Sequence, residues 1–266
     1  MPVKNSFSKY LATPGINWST LKEMGRSPLH YKFRLSHPRE DSTELARGRA
    51  VHTATLEPDL FEKEYVVYPG KTRRGKKWDE FEVTYGAAYT ILKQDERDKA
   101  MLCAEAIRKH PEASALLSEA EYEQSFTWTE KTTGLKCKGR VDGIGSVLFD
   151  LKTTGNVDAR IFGNIAARMV YQGQLAFYTD GAKHKGSVYI IAAEAEPPFD
   201  VAVFRLGDED IFSGRELYQG FLARVVECQK TDVWPGKYSK TQMLSLPRYA
   251  YGGDEEEGGS YEVVEA

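Results

Sequence analysis

The sequence predicts an α/β protein: a mixed central sheet flanked by helices, preceded by a helical N-terminal elaboration. Three observations carry this. Up to Ser118 the apolar residues recur mainly at helical spacing, and segments open on capping residues. From Tyr122 to Thr129 and from Cys137 to Ile144 the residues alternate, and Val147 to Lys152 is a short apolar run ending in charge, with turn residues between the runs. After Asp158 long helical stretches alternate with short apolar runs, so the order is helices followed by βββαββα.

Asn17-Trp18-Ser19-Thr20 offers a helix start, and Ser27-Pro28 sets an N-cap residue before proline at the first helical position. Residues 44–56 form a third helix, with Leu45, Gly48, His52 and Leu56 on one face. A basic loop over 71–78 interrupts the pattern, and a long helical region follows from about 85 to 110. Residues 122–129, 137–144 and 147–152 read as three strands, joined by turns at Thr133-Gly134 and Gly145-Ser146. Residues 158–180 read as one helix. Two strands, 187–193 and 199–206, are parted by Pro197-Pro198, and 208–230 is a closing helix capped by Asp208. One domain therefore spans 1–250, helical over about 1–118, with its core at about 119–235. Residues 251–266, holding Asp254-Glu255-Glu256-Glu257 among glycines, form an acidic tail expected to be disordered.

With 266 residues, 41% of them hydrophobic, the chain can bury a full core. No stretch approaches the roughly 18–20 apolar residues of a membrane-spanning helix. Met1-Pro2-Val3-Lys4-Asn5 lacks the apolar run of a signal peptide, which predicts a cytoplasmic protein. Cys103, Cys137 and Cys228 form no CxxC pair and read as reduced, buried thiols. A net charge of −3 leaves a nucleic-acid partner open, because a groove needs only local positive charge.

The chemistry concentrates in Gly139-Arg140-Val141-Asp142-Gly143 and Phe149-Asp150-Leu151-Lys152-Thr153-Thr154. A short turn joins their strands, so Asp142 and Asp150 should approach from antiparallel neighbours. Asp150 and Lys152, two apart, share a face, with Leu151 pointing the other way. An edge-strand ion pair would account for Asp150 and Lys152 alone. Two carboxylates with a lysine suit phosphodiester hydrolysis better. Carboxylate oxygens hold Mg²⁺, the metal lowers the pKa of the attacking water, and Lys152 orients that water or stabilises charge on the phosphate. His52 is either a hydrogen-bonded core residue or a further ligand, and Gly48 one turn earlier implies close approach to another element. Tyr171, Gln174 and Tyr178 share one face of a helix. A glutamine on a packed face must find polar partners, which an active site would supply.

The order H…D…DxK…QxxxY resembles the RecB-type nucleases of the PD-(D/E)xK superfamily, which have a restriction-endonuclease-like core. Gly48-x-x-x-His52-x-x-x-Leu56-Glu57-Pro58 and the pairing of Val141-Asp142-Gly143 with Asp150-Leu151-Lys152-Thr153-Thr154 look most like the RecE, or exonuclease VIII, nucleases of prophage recombination. The resemblance covers about 18–234. It implies a metal site of His52, Asp142, Asp150 and the Leu151 main-chain carbonyl, taking Mg²⁺ with Mn²⁺ as a substitute. It further implies that Lys152 serves the water while Gln174 and Tyr178 position the site. The implied reaction is 5′-to-3′ digestion of one strand of linear duplex DNA, leaving a 3′ overhang for a RecT-like single-strand annealing protein. A ring-shaped homo-oligomer in a phage- or prophage-bearing bacterial cytoplasm is implied as well. Some relatives hold an iron–sulfur cluster through a cysteine where this chain has Ser27. Four thiolates are needed and three cysteines are present, so no cluster is expected.

For DNA contact the basic segment offers Arg73, Arg74, Lys76 and Lys77, with Trp78 able to stack on a base. Arg47 and Arg49 beside the His52 helix could reach a terminal phosphate. A structure-specific or restriction-type endonuclease, or an inactive DNA-binding module, would share these motifs.

Overall fold

Alternation along the strands divides the apolar residues between two cores, one on each face of a single sheet. The computed structural model describes residues 2–4, 6–38, 42–246 and 250, so the acidic tail expected at 251–266 lies outside the described residues. The chain begins with β1 (Val3–Lys4), α1 (Phe7–Ala12), α2 (Trp18–Leu21), a 3₁₀ turn (Lys22–Gly25) and α3 (Pro28–Ser36). It continues through α4 (Thr43–Leu56), α5 (Pro58–Glu64), β2 (Tyr65–Tyr68), α6 (Lys76–Tyr85), β3 (Thr90–Lys93), α7 (Gln94–Lys109) and α8 (Pro111–Ser118). The core follows: β4 (Glu121–Thr129), β5 (Lys136–Ile144), β6 (Leu148–Thr154), α9 (Ala159–Met169), α10 (Tyr171–Ala182), β7 (Val188–Glu194), β8 (Val201–Arg205) and α11 (Asp208–Thr231).

The main sheet runs β1-β4-β5-β6-β7-β8. Its pairs are antiparallel except β6 with β7, which α9 and α10 connect as a crossover. Leu148 and Ile190 point into a core with Trp18, Tyr31, Phe177 and Leu222, from α2, α3, α10 and α11. Their neighbours Phe149 and Ile191 point the other way, against Ala50 and Ala54 of α4, Phe61 of α5 and Ile107 of α7. The N-terminal helices are thus divided between both faces of the sheet.

Asn17 and Ser27 cap α2 and α3 as the sequence predicts, each accepting a main-chain N–H three residues on. Three expectations need correction. The helical region placed at 85–110 is interrupted by β3, which pairs in parallel with β2, and α7 starts only at Gln94. Helix 158–180 is two helices, broken where Val170 takes a left-handed conformation at φ 60° and ψ 41°. The basic segment 71–78 is a loop only as far as Gly75, because Lys76, Lys77 and Trp78 form the first turn of α6. A smaller difference concerns α11: Gly207 is its cap, and the Asp210 carboxylate accepts the Gly207 N–H at 2.9 Å.

Candidate metal centre

β5 and β6 pair only beside their turn, at Gly143 with Phe149 and Ile144 with Leu148, and then part. The same register carried one step on would set Asp142 against Asp150. Instead the Asp142 carboxylate enters the gap and its Oδ2 accepts the Leu151 N–H at 2.7 Å. A side chain therefore does the work of a missing ladder bond, which satisfies that N–H and fixes the carboxylate.

β4 breaks its pairing at the same level. Tyr122 pairs with Gly143 and Gln124 with Val141, so the register is unchanged, but Glu123 between them sits at φ 56° and is not part of the ladder. A non-glycine residue in that region costs about 1–3 kcal/mol, and such outliers cluster at functional sites. Arg140 Nε holds the Glu123 carboxylate at 2.5 Å.

From the other side α4 brings His52, whose Nδ1 lies 3.5 Å from Asp142 Oδ2. A methyl group at Gly48 would stand 3.4 Å from Thr153 Oγ1, an ordinary contact, so α4 lies close to the end of β6 without requiring the bare residue. One ligand atom each from His52, Glu123 and Asp142 falls within 4.8 Å of the others.

Asp150 is buried on the opposite face of β6 from Leu151. Gln174 Nε2 donates to its Oδ1 at 3.0 Å. Lys152 Nζ approaches its Oδ2 at 2.6 Å as an ion pair. The ammonium also lies 4.7 Å from the centre of the Tyr171 ring. Tyr178 is buried with its ring edge-on to Phe126, and burial holds its hydroxyl well above the usual range.

The electrostatics fit a divalent cation. Burial, followed by the charge of Asp150, pushes the Asp142 carboxyl up to about 7. Burial and then Asp142 raise Glu123 in turn. Burial and the nearby Lys152 charge lower the His52 imidazole, favouring the neutral ligand form. Burial opposes the charge on Lys152, yet Asp150, Tyr171 and Asp142 together raise its pKa, so it stays an ammonium. Crowded carboxylates beside a neutral imidazole make an oxygen-rich donor set suited to Mg²⁺ or Mn²⁺. Of the sequence-predicted ligands, His52 and Asp142 meet at this point, with Asp150 and Leu151 adjoining. Glu123 was not foreseen. On sequence it reads as one of two exposed charges in Glu121-Tyr122-Glu123-Gln124, and only its backbone conformation and Arg140 distinguish it.

The Asp142 carboxyl also sets a pH dependence. Its folded pKa lies above the unfolded value of about 3.9, so the metal-free protein loses stability as pH rises from about 4 to about 7. Asparagine in its place would keep an acceptor for the Leu151 N–H without the charge. In chelator, Asp142→Asn should melt several degrees above wild type at pH 8, and scanning calorimetry should show the gap closing towards pH 4. An equal melting temperature at both pH values would contradict the assignment.

The expected DNA contacts are differently placed. Arg73 donates to both oxygens of Glu96, at 2.7 and 2.5 Å, and to the Ile91 carbonyl at 3.0 Å. Arg47 reaches the same carboxylate at 3.1 Å. Burial alone would raise the Glu96 pKa, but these arginines and the Lys93 N–H bring it down to about 2. Lys76 pairs with Glu80 at 3.8 Å, Trp78 packs edge-on against Tyr68, and Arg74 and Lys77 are exposed. Burial, followed by the charge of Glu57, raises the Glu64 carboxyl, and the Arg140 and Arg49 charges only partly oppose this. A cavity of about 430 Å³ between the start of α4 and α6 is lined by Ser42, Arg73, Trp78 and Tyr89, and by none of the carboxylate cluster.

A PDDEXK-like domain of unknown function (DUF3799) matches residues 17–247. The chain belongs to that family. Its PDDEXK-like fold recurs in a crystal structure of a candidate exonuclease from Eubacterium rectale, at TM-score 0.64 and 14% identity, over 94% of this chain and 98% of that one. An alkaline exonuclease from Laribacter hongkongensis aligns over 69% of this chain and 91% of its own, at 10% identity and a TM-score of 0.27, too low to carry an argument. None of the curated proteins matches the chain. Within the matched range Asp142 lies on β5, and Asp150 and Lys152 lie on β6. Among the described residues no helix is long and apolar enough to cross a membrane.

Proposed function

We propose that this PDDEXK-like domain is a divalent-metal-dependent DNA exonuclease that digests one strand of linear duplex DNA from its 5′ end. The observation that carries the reading is the gap between β5 and β6, where Asp142, Glu123 and His52 converge beside the Asp150–Lys152 pair. His52, Glu123 and Asp142, with Asp150 and the Leu151 carbonyl adjoining, would hold Mg²⁺ or Mn²⁺. When bound, such an ion polarises the scissile phosphate and lowers the pKa of a water. Lys152 holds a positive charge where negative charge builds on the phosphate and can orient the attacking water. Gln174 keeps the Asp150 carboxylate aimed, and the Tyr171 ring limits the swing of Lys152. Arg74 and Lys77 remain candidates for backbone contact, as do Trp78 and Arg49. The RecE-like motif order further supports a 3′ overhang, a RecT-like annealing partner and a ring-shaped oligomer in a bacterial cytoplasm.

Duplex DNA labelled at either end and covalently closed circles, each incubated with the protein and Mg²⁺, test this reading. Loss of the 5′ label as mononucleotide, with the circle intact, is expected. Nicking of the circle would favour an endonuclease on the same core, and binding without cleavage an inactive DNA-binding module.

A further inference from the structure

Helix α9 begins five residues after the catalytic strand ends, and its outward face is unusual for this protein. Arg160, Gly163, Asn164, Ala167 and Arg168 are all exposed and recur at helical spacing, opposite the buried Phe162. From Ala159 to Thr179 the chain carries no acidic residue, although it has 39 in all. Neither Arg160 nor Arg168 forms an ion pair among the described residues. The basic start of α6 is different, because Asp79, Glu80 and Glu82 follow Lys76 and Lys77 within the same helix. Its charge is largely offset on the spot.

Gly163 adds an independent observation. It lies inside a helix, where glycine is about 1 kcal/mol worse than alanine. A methyl group there would meet nothing within 4 Å, so no neighbour in the fold requires the bare position. The bare position leaves room for a molecule outside the chain to come close to the helix. Placement points the same way. The Phe162 ring centre is 6.3 Å from that of Tyr171, and Tyr171 in turn lies 4.7 Å from Lys152 Nζ. The inner face of α9 is therefore one aromatic ring away from the lysine.

We infer that the exposed face of α9, across the helix from the side nearest Lys152, is a docking surface for the sugar-phosphate backbone of the DNA that leads to the scissile bond. Arg160 and Arg168 clasp phosphates about 12 Å apart along the helix axis, Asn164 donates between them, and Gly163 and Ala167 let the backbone lie against the helix. The inference rests on the nuclease reading above and gives that reading its DNA track. It assigns the main grip to α9 and not to the segment 71–78.

The test uses the full chain and a fluorescein-labelled 30-base-pair duplex in EDTA, with anisotropy followed across a salt series. Arg160→Ala with Arg168→Ala should raise Kd at least tenfold and reduce the slope of log K against log salt by about 1.8, or 0.9 per lost contact. Gly163→Ala should raise Tm yet weaken binding several-fold, two changes that a purely structural glycine would not combine. Wild-type affinity and slope in the double variant would overturn the inference, as would undiminished affinity in Gly163→Ala. If wild type digests labelled ends while these variants match it, only the α9 assignment falls. Wild type that neither binds nor digests DNA would remove the nuclease reading and this inference together.

Discussion

Asp150→Asn is expected to reduce DNA hydrolysis on the order of 10²-fold or more while the protein still folds. Asparagine keeps the oxygen that accepts from Gln174, so the link to α10 survives. What is lost is the negative charge of a nearly enclosed carboxylate, 4% exposed at its side chain, beside the candidate metal ligands. Charge stabilisation by a metal is worth several kcal/mol in a transition state, and each 1.4 kcal/mol is a factor of ten. Lys152 also loses its nearest counter-charge, so its pKa should fall in the variant. Steady-state rates on a 5′-labelled duplex, with circular dichroism to verify the fold, measure the effect. Activity within tenfold of wild type would rule out this carboxylate as part of the reacting centre.

Lys152→Met should be comparably severe in rate but nearly silent in metal binding. Methionine preserves most of the side-chain bulk against Tyr171 and removes the ammonium. Loss of one preorganised charge aimed at a developing anion typically costs 10²–10³ in kcat. Because an ammonium donates and does not ligate, Mn²⁺ affinity by titration calorimetry should stay within a few-fold of wild type. A variant that loses Mn²⁺ binding and regains its rate at high metal would show that Lys152 acts through the metal site.

Much of this arrangement is legible in the amino-acid order, and the illegible parts share a physical cause. The strands β4 and β5 declare themselves by alternation, and β6 by a short apolar run ending in charge, because Leu148 and Phe149 enter opposite cores. Asp142, Asp150 and Lys152 are visible because charged residues sit where an inner strand should be apolar. His52 is visible through its position one turn after a glycine. What local pattern cannot convey is pairing across distance. Tyr65–Tyr68 and Thr90–Lys93 are too short to signal a parallel ladder on their own. Arg73 reads as free charge because its partner, Glu96, is 23 residues away. Val170 and Glu123 occupy left-handed conformations that their side chains disfavour, so nothing in the residue type announces either break. Glu123 belongs to the carboxylate cluster and Val170 precedes Tyr171 beside Lys152, where local preference yields to the demands of the site.

Lys138 bears on which stretch of this chain counts as the minimal unit. It lies on β5, buried, and its ammonium donates to the carbonyls of Tyr10, Leu11 and Thr13 at 3.1, 3.0 and 2.7 Å. Those acceptors belong to the last turn of α1 and the residue that ends it, while β1 ahead of it pairs with β4. Carbonyls of residues 10–13 thus act as counter-ligands for a cation in the middle of the sheet. A fragment trimmed to the βββαββα segment would retain that cation and lose every oxygen that solvates it. A buried charge left in this way typically costs 3–5 kcal/mol, a large share of a domain's net stability. The unit that folds cooperatively is therefore expected to reach back past the βββαββα segment to α1, tied there by a lysine outside the carboxylate cluster.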